Sequence, residues 1–599
     1  MKHRIVAGAI CALLVCAVLR AAAARPAAAL QEAPAATAQG EAPTPSPQPT
    51  VAAPDGTEAP LPTPLPLIPQ TDWRYGVIES YEAPEMATRL GASWTRVRFQ
   101  WAEVQPGGPE DWEPAVSDEQ IEVELEAGRE VIGLLIGVPD WARDRDDLPS
   151  GLYLPDDDPD NTWAVFVREA VGRYAGQIDH WVIWNEPDID DPDAPGHTWD
   201  GTVEDFAQLQ RVAYRVARET NQDAVIHLAA VTHFWDPAYF GTLLDALGDD
   251  PDADANNTYF DVATAHLYFQ PGSVYDILSI FRQTMDDQGL DQPIWLVETN
   301  APPIDDPYWR VSNWTLSVTL YEQAAFVPQA LAAALAAGAE RIAFFKLMDT
   351  AADRAANPEP FGLVRFDTSR RPAFDAYRAA IPRLAGATRA TRERWDAVGQ
   401  IRVDQDEQTT TVLFSRLPTE QTATVRATAP TADLFDMWGK RRTVEPQDGA
   451  FIIDLPAANC TQSIGDYCMI GGATFYLVQA IDAETLSQLP VVDALATPTP
   501  GAPTPAPDPT AVPSPTGTPT ATAAAVETEA ARATPERADM EPAAADATPS
   551  PGPTPSGTEV TQPAAPGTPG GVFDYVGLLF LGLAAMIAVG AVVRWRRGN

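Results

Sequence analysis

The chain has 599 residues, too many for one hydrophobic core, and its length alone asks for roughly two to four domains. It carries 83 acidic against 40 basic side chains, a net charge of −43. Such a surface repels phosphate backbones, so no nucleic-acid partner is expected.

In chain order, Lys2, His3 and Arg4 form a basic start, Ile5 to Leu19 is apolar, and Ala-x-Ala sites follow near Ala24. Residues 1–24 read as a secretory signal peptide. Residues 25–70 are rich in Pro and Ala and read as a linker that buries no core.

From 71 to 385 apolar, strand-like runs alternate with helical patterns. The runs are RYGVIE at 74, TRVRFQW at 95, VIGLLIGV at 131, HWVIWN at 180, VIHLAAV at 225, FDVATAHLYF at 260, PIWLVET at 293 and RIAFFKL at 341. Between most of them, as in NTWAVFVREAVGRYAG, apolar residues recur at three and four. Eight strands with intervening helices fit a (β/α)8 barrel. A doubly wound open sheet is the runner-up, but it usually shows a Gly-rich turn after its first strand, and GVIESYEAP has none.

Residues 386–485 change pattern, to short alternating strands with turn signals: TTTVLFSRL, TATVRATA, GAFIIDLP and GATFYLVQAI. They predict a small all-β, sandwich-like accessory domain. Cys460 and Cys468 are the only cysteines outside the signal, and export suggests that they form one disulfide across a short loop. Residues 486–572 form a second Pro/Thr/Ala-rich linker. Residues 573–593 follow as a transmembrane helix, with 18 uncharged residues from Val576 to Val593. The tail 594–599 carries Arg594, Arg596 and Arg597, which the positive-inside rule places in the cytoplasm. No Leu-Pro-x-Thr-Gly signal precedes the helix, so a retained span is expected, with the globular part outside and tethered to the cell surface.

The active site of a (β/α)8 barrel lies at the C-terminal ends of its strands. Strand two offers Arg96 and Arg98, which share a parity and can both face the axis. Strand three ends in PDWA with Trp141, and strand four ends in Asn185 and Glu186. Strand six ends in His266 and Tyr268, two apart, and strand seven ends at Glu298. Carboxylates on strands four and seven would face each other across the mouth, as glycoside hydrolysis requires. Trp101, Trp141, Trp184, Trp199 and Trp235 lie at or near strand ends, where rings could stack on sugar C–H faces.

WNEP after strand four, VET at strand seven, ASWTRVRFQWAEVQP and FGLVRFDTSRRPAFDAYR together resemble the retaining glycoside hydrolases of clan A, near families 5 and 39, over roughly residues 72–384. The resemblance implies that Glu186 is the acid/base and Glu298 the nucleophile. It implies that Asn185 binds the sugar 2-hydroxyl, that Arg96 and Tyr268 keep Glu298 ionised, and that His266 lines the site. Glu186 would need a raised pKa from apolar surroundings and from Glu298.

One departure concerns strand eight, where such enzymes often carry a Trp. Here it reads RIAFFKLMDT, and Lys346 and Asp349 could reach the pocket. Lys346 would recognise an acidic sugar if it faced substrate, or else form an ion pair behind the site. No ligand spacing of His or Cys supports a metal, despite His227 and His233 on strand five, and no cofactor is expected. The acidic runs PDDDPDN and DIDDPDAPG read as solvated loops. The expected partner is therefore an oligo- or polysaccharide, acted on by a monomer anchored through its C-terminal helix. The rival reading is a catalytically inactive surface protein that binds carbohydrate or mediates adhesion on the same barrel.

Overall fold

The computed structural model describes residues 72–144, 148–192, 194, 196–311, 316–356, 359–481 and 484. The expected signal, both linkers, the expected transmembrane helix and the basic tail lie outside the described residues. Among the described residues no helix is long and apolar enough to cross a membrane.

Eight parallel strands form the first part: β1 (Tyr75–Val77), β2 (Trp94–Gln100), β3 (Glu130–Ile136), β4 (His180–Ile183), β5 (Val225–His227), β6 (Ala263–His266), β7 (Ile294–Thr299) and β8 (Ala339–Phe344). They pair in the order β5-β4-β3-β2-β1-β8-β7-β6. Parallel bridges from His227 to Val262 and from Val231 to Ala265 join β5 to β6 and close the barrel. Each strand overlaps one of the apolar runs, because barrel strands are buried on both faces and need not alternate.

The floor of the barrel is aromatic and ionic. Trp94 and Trp295 pack with ring centroids 5.7 Å apart, and His180 stacks on Trp295 at 5.1 Å. Arg341 lies 4.3 Å over Trp295 and pairs with Glu130 at 2.6 Å. Gly76 is in register with Trp94, and a Cβ at 76 would stand 2.4 Å from the indole, so only glycine fits there. This floor leaves the opposite end, where the strands finish, as the open end of the barrel.

The last barrel helix, Pro372–Leu384, leads into an antiparallel domain. Its strands are β9 (Arg389–Trp395), β10 (Val398–Asp404), β11 (Gln408–Ser415), β12 (Gln421–Arg426), β13 (Ala432–Asp436), β14 (Arg441–Val444), β15 (Ala450–Leu455), β16 (Ser463–Ile464), β17 (Tyr467–Cys468) and β18 (Phe475–Ala480). A six-stranded sheet, β14-β13-β18-β11-β10-β9, faces the β12–β15 pair across a core that includes Leu413, Val425, Leu434, Phe451 and Leu477. Cys460 and Cys468 are joined by a disulfide with Cα atoms 4.7 Å apart.

The two parts share an interface on the barrel helix Leu320–Ala336, buried along nearly its whole length. Gln329 donates to the carbonyl of Gly472 at 3.0 Å and accepts from the amide of Gly471 at 3.0 Å. Most of this helix is apolar because it is covered on both sides, and its buried Gln329 is satisfied by the β-domain.

Candidate active site

β4 ends at Ile183, and the chain then turns sharply. Trp184 has φ 73° and Glu186 φ 48°, both left-handed. Each such residue costs on the order of 1–3 kcal/mol and persists only where its surroundings enforce it. The Trp184 amide donates to the carbonyl of Leu135 at 2.8 Å, and the Glu186 amide to that of Ala230 at 2.9 Å. The Thr198 hydroxyl donates to the Asn185 carbonyl at 2.6 Å and accepts from the Trp184 indole at 3.1 Å. The strand end is thus fixed by its neighbours β3 and β5 and by the following loop. The Asn185 side-chain amide makes no hydrogen bond among the described residues and is free for a ligand.

Glu298, near the end of β7, is buried and held from two sides. Arg96 of β2 donates to Oε1, and the Tyr268 hydroxyl donates to Oε2. Burial pushes this carboxyl up, but His266, the Arg96 guanidinium and the Tyr268 hydroxyl together outweigh it and hold it below the usual carboxylate range. Burial and the charge of Glu298 push the Tyr268 phenol well up, so it stays a donor.

His266 links the two acids. Its Nδ1 lies 2.8 Å from Glu186 Oε1, and its Nε2 lies 3.5 Å from Glu298 Oε1 and 3.4 Å from Arg96 Nη1. One oxygen of each carboxylate and a His266 nitrogen all fall within 4.8 Å of one another. Three such atoms could ligate a cation, but Arg96 and Tyr268 already occupy both oxygens of Glu298, and the guanidinium supplies the positive charge. Glu186, Glu298, Arg96, His266 and Tyr268 therefore converge on one site at the barrel mouth, with Asn185 next to Glu186 in the chain.

Other expectations need correction. Trp101, Trp184 and Trp199 are buried in the core and cannot act as sugar platforms. Trp101 stacks on Phe166 with centroids 4.8 Å apart, and Trp184 packs edge-on against Trp199 at 5.3 Å. Trp235 packs on Ile189 and Ala194. Trp141 stays partly exposed, with its indole donating to the Gln105 carbonyl at 2.7 Å.

Lys346 is buried and does not point at an unpaired site. It pairs with Glu79, which follows β1, and with Asp353 at 2.7 Å. Asp349 turns away to Arg371 at 2.6 Å and accepts from the Gly362 amide at 2.7 Å. The ion-pair role of Lys346 holds, with partners that the sequence did not point to. The Glu186 side chain is 17% exposed, and its Oε1 lies 2.8 Å from His266 Nδ1.

The acidic runs do more than meet solvent. Asp156 forms a bidentate pair with Arg215 at 2.6 and 2.9 Å, and Asn161 caps the helix Thr162–Arg173. Asp188, two residues after Glu186, is fully buried and accepts from the Thr232 amide and hydroxyl and from the His233 amide, at 2.7 to 3.1 Å. It ties the loop after β4 to the loop after β5, and so positions Glu186. Its place directly after Asn-Glu-Pro was the available signal. In place of a Trp at the end of β8, Phe345 packs on Phe361 at 5.6 Å, and Phe361 packs on Tyr268 at 5.9 Å.

No protein-family model matches the sequence, and no curated protein matches it. Among solved structures, a family 39 glycoside hydrolase from the gut symbiont Bacteroides cellulosilyticus WH2 is similar over 68% of this chain and 81% of its own, at 14% identity and a TM-score of 0.50. A glucosidase from Croceicoccus marinus is similar over 70% of this chain and 98% of its own, at 12% identity and a TM-score of 0.47. A monomeric beta-xylosidase from Caulobacter crescentus CB15 is similar over 69% and 97%, at 12% identity and a TM-score of 0.45. At these identities the first likeness concerns the fold, a (β/α)8 barrel followed by an antiparallel β-domain.

Proposed function

We propose that the chain is a glycoside hydrolase that cleaves O-glycosidic bonds, β-linked ones, with retention. The observation that carries this reading is the cluster at the barrel mouth, where oxygens of Glu186 and Glu298 lie within 4.8 Å of each other and of one His266 nitrogen. Retaining enzymes hold their carboxyl groups roughly 5–5.5 Å apart, too close to seat a water between them, while inverting enzymes need roughly 6.5–9.5 Å.

In this reading Glu298, ionised beside Arg96, attacks the anomeric carbon. Glu186 protonates the departing oxygen, then activates the water that releases the glycosyl-enzyme. His266 orients the acid/base through its Nδ1. Asn185 offers its free amide to the sugar 2-hydroxyl.

The glycone is a neutral sugar. Lys346 is already neutralised by Glu79 and Asp353, with Glu82 close by, so an acidic sugar would meet more negative charge than positive. The protein acts as an exported monomer, held at the cell surface by the C-terminal helix read from its sequence.

The test uses residues 71–485 against a panel of aryl β-glycosides. Glu298→Ala should lose nearly all turnover. Glu186→Ala should lose most on poor leaving groups and least on activated aryl ones, with losses of roughly 10²–10⁴-fold. Near wild-type rates in Glu298→Ala would refute the assignment.

A further inference from the structure

Three strand ends meet at one side chain. Asn300 follows Thr299, the last residue of β7, and is fully buried. Its Oδ1 accepts from the Ala301 amide at 2.7 Å and from Gln323 Nε2 at 3.3 Å, which fixes the way the side chain points. Its Nδ2 donates to two carbonyls at 2.7 Å each: that of Phe345, just past β8, and that of Phe361, in the loop that returns from β8. Its own carbonyl accepts from the Phe269 amide, in the chain leaving β6, at 2.8 Å. We infer that Asn300 is a positioning residue for the nucleophile: by fixing Phe361 it holds the Tyr268 ring where the hydroxyl reaches Glu298. The inference rests on the reading of Glu298 as nucleophile and adds to it a residue that makes no hydrogen bond to the carboxylate.

The path is short. Phe361 meets Tyr268 edge to face, with centroids 5.9 Å apart and planes at 82°. The main chain around Tyr268 is already tied to β7, since the Leu267 amide donates to the Glu298 carbonyl at 3.0 Å and the Phe269 amide to that of Asn300. What is left to fix is the side chain, and a small turn of the ring moves the hydroxyl most, because it lies furthest from the main chain. Among the described residues the Phe361 carbonyl has one other donor, the Lys346 amide at 3.4 Å. A buried carbonyl that loses its donor must shift to find another. The next residues of the loop are held separately: the Gly362 amide donates to Asp349 Oδ1 at 2.7 Å and the Leu363 amide to the Lys346 carbonyl at 2.9 Å. Loss of the Asn300 side chain should thus release Phe361 without unravelling the loop.

The Tyr268 hydroxyl donates to the ionised form of Glu298, so its displacement favours the neutral acid. The other charged groups around Glu298 are Arg96 from β2, His266 from β6 and Glu186 after β4. Lys346, after β8, is engaged by Glu79 and Asp353, and Glu359 precedes Phe361 by two residues. The variants below leave all of them in place.

The test measures kcat/KM of the full chain on an activated aryl β-glycoside across pH. The variants are Asn300→Ala, Phe361→Ala and Tyr268→Phe, with Asn300→Ala also combined with Tyr268→Phe. Each single variant should move the acid limb to higher pH, and kcat/KM on the acid side should fall by roughly tenfold, as for the loss of a hydrogen bond to a charged group. In the Tyr268→Phe background Asn300→Ala should move the limb no further, because the two act through one bond. A merely structural role would lower the rate by one factor at every pH. An unmoved limb in Tyr268→Phe, or in Asn300→Ala and Phe361→Ala, overturns the inference, as does a further shift in the double variant. If Asn300→Ala does not fold, Phe361→Ala alone and with Tyr268→Phe decides by the same criteria. These outcomes leave the nucleophile reading standing. Parent-like turnover in Glu298→Ala, or no turnover of any aryl β-glycoside by the parent, overturns that reading and the inference with it.

Discussion

Replacing Arg96 by Met should move the acid limb of activity upward. Arg96 and Glu298 form a buried pair, with side chains 6% and 8% exposed. The Met variant keeps most of the unbranched apolar stem without the charge and leaves Glu298 with the Tyr268 hydroxyl and with His266 Nε2 at 3.5 Å. The burial penalty, the largest influence on this carboxyl, then loses one of its main opponents. An opposite charge at this range favours the ionised carboxylate, so its loss should raise the pKa of Glu298.

A nucleophile works only when ionised, so the limb of kcat/KM on the acid side shifts to higher pH by the same interval. Stability follows the same sign. In the wild type the folded pKa is depressed, so its contribution is present above the ordinary carboxylate pKa and is lost as pH falls through the folded value. The variant should therefore be least stable relative to wild type near neutrality, by roughly 3–5 kcal/mol for a broken buried pair, with the gap closing in acid. The assay is a pH–rate profile on an activated aryl glycoside, with thermal melts at each pH. A variant whose rate drops equally at every pH, with its limb unmoved, would refute the claim that Arg96 sets the charge of Glu298.

Glu359 is buried, its Oε1 has no hydrogen-bond partner, and burial pushes its carboxyl up to about 7. A raised folded pKa costs stability as pH climbs from the ordinary carboxylate value towards 7, so Glu359→Gln should gain roughly 3 kcal/mol at pH 8 and almost nothing at pH 4, read from denaturant midpoints. Losing the disulfide by Cys460→Ser with Cys468→Ser should destabilise the β-domain by roughly 2–3 kcal/mol in a chain-entropy account, and reductant should lower the melting temperature of the parent but not of the double variant.

The barrel was legible because its strands are buried on both faces and appear as apolar runs. The accessory domain was only partly so. β12 and β15 alternate cleanly and face solvent on one side. β10 is buried at every position yet carries Gln400, Arg402 and Asp404, and Arg402 is neutralised there by Glu393 at 2.8 Å and Asp404 at 3.0 Å. β9 is an edge strand whose Arg392 reaches Asp276 on the barrel. Polar residues satisfied by tertiary partners erase the alternation that marks a strand.

In the site, the strand-end polar residues were legible by parity and position. The tryptophans misled, because a strand-end ring fits the core between barrel and helices as well as it fits a sugar. For Lys346 the ion pair was among the readings but its partners were not legible: Glu79 and Asp353 lie far away in sequence or beyond the strand, and no local pattern connects them. The contacts of Asn300 join three strand ends and a returning loop, which no spacing in the sequence reveals.

The central claim is that Glu186 and Glu298 act as a retaining pair, and the anomer first released tests it most directly. Proton NMR should be recorded during the first turnovers of a β-glycoside by residues 71–485, before mutarotation. The β-anomer should appear first, because two displacements through a Glu298-linked intermediate restore the starting configuration. An α-anomer released first would contradict the account, since a single displacement by water needs carboxylates further apart than these.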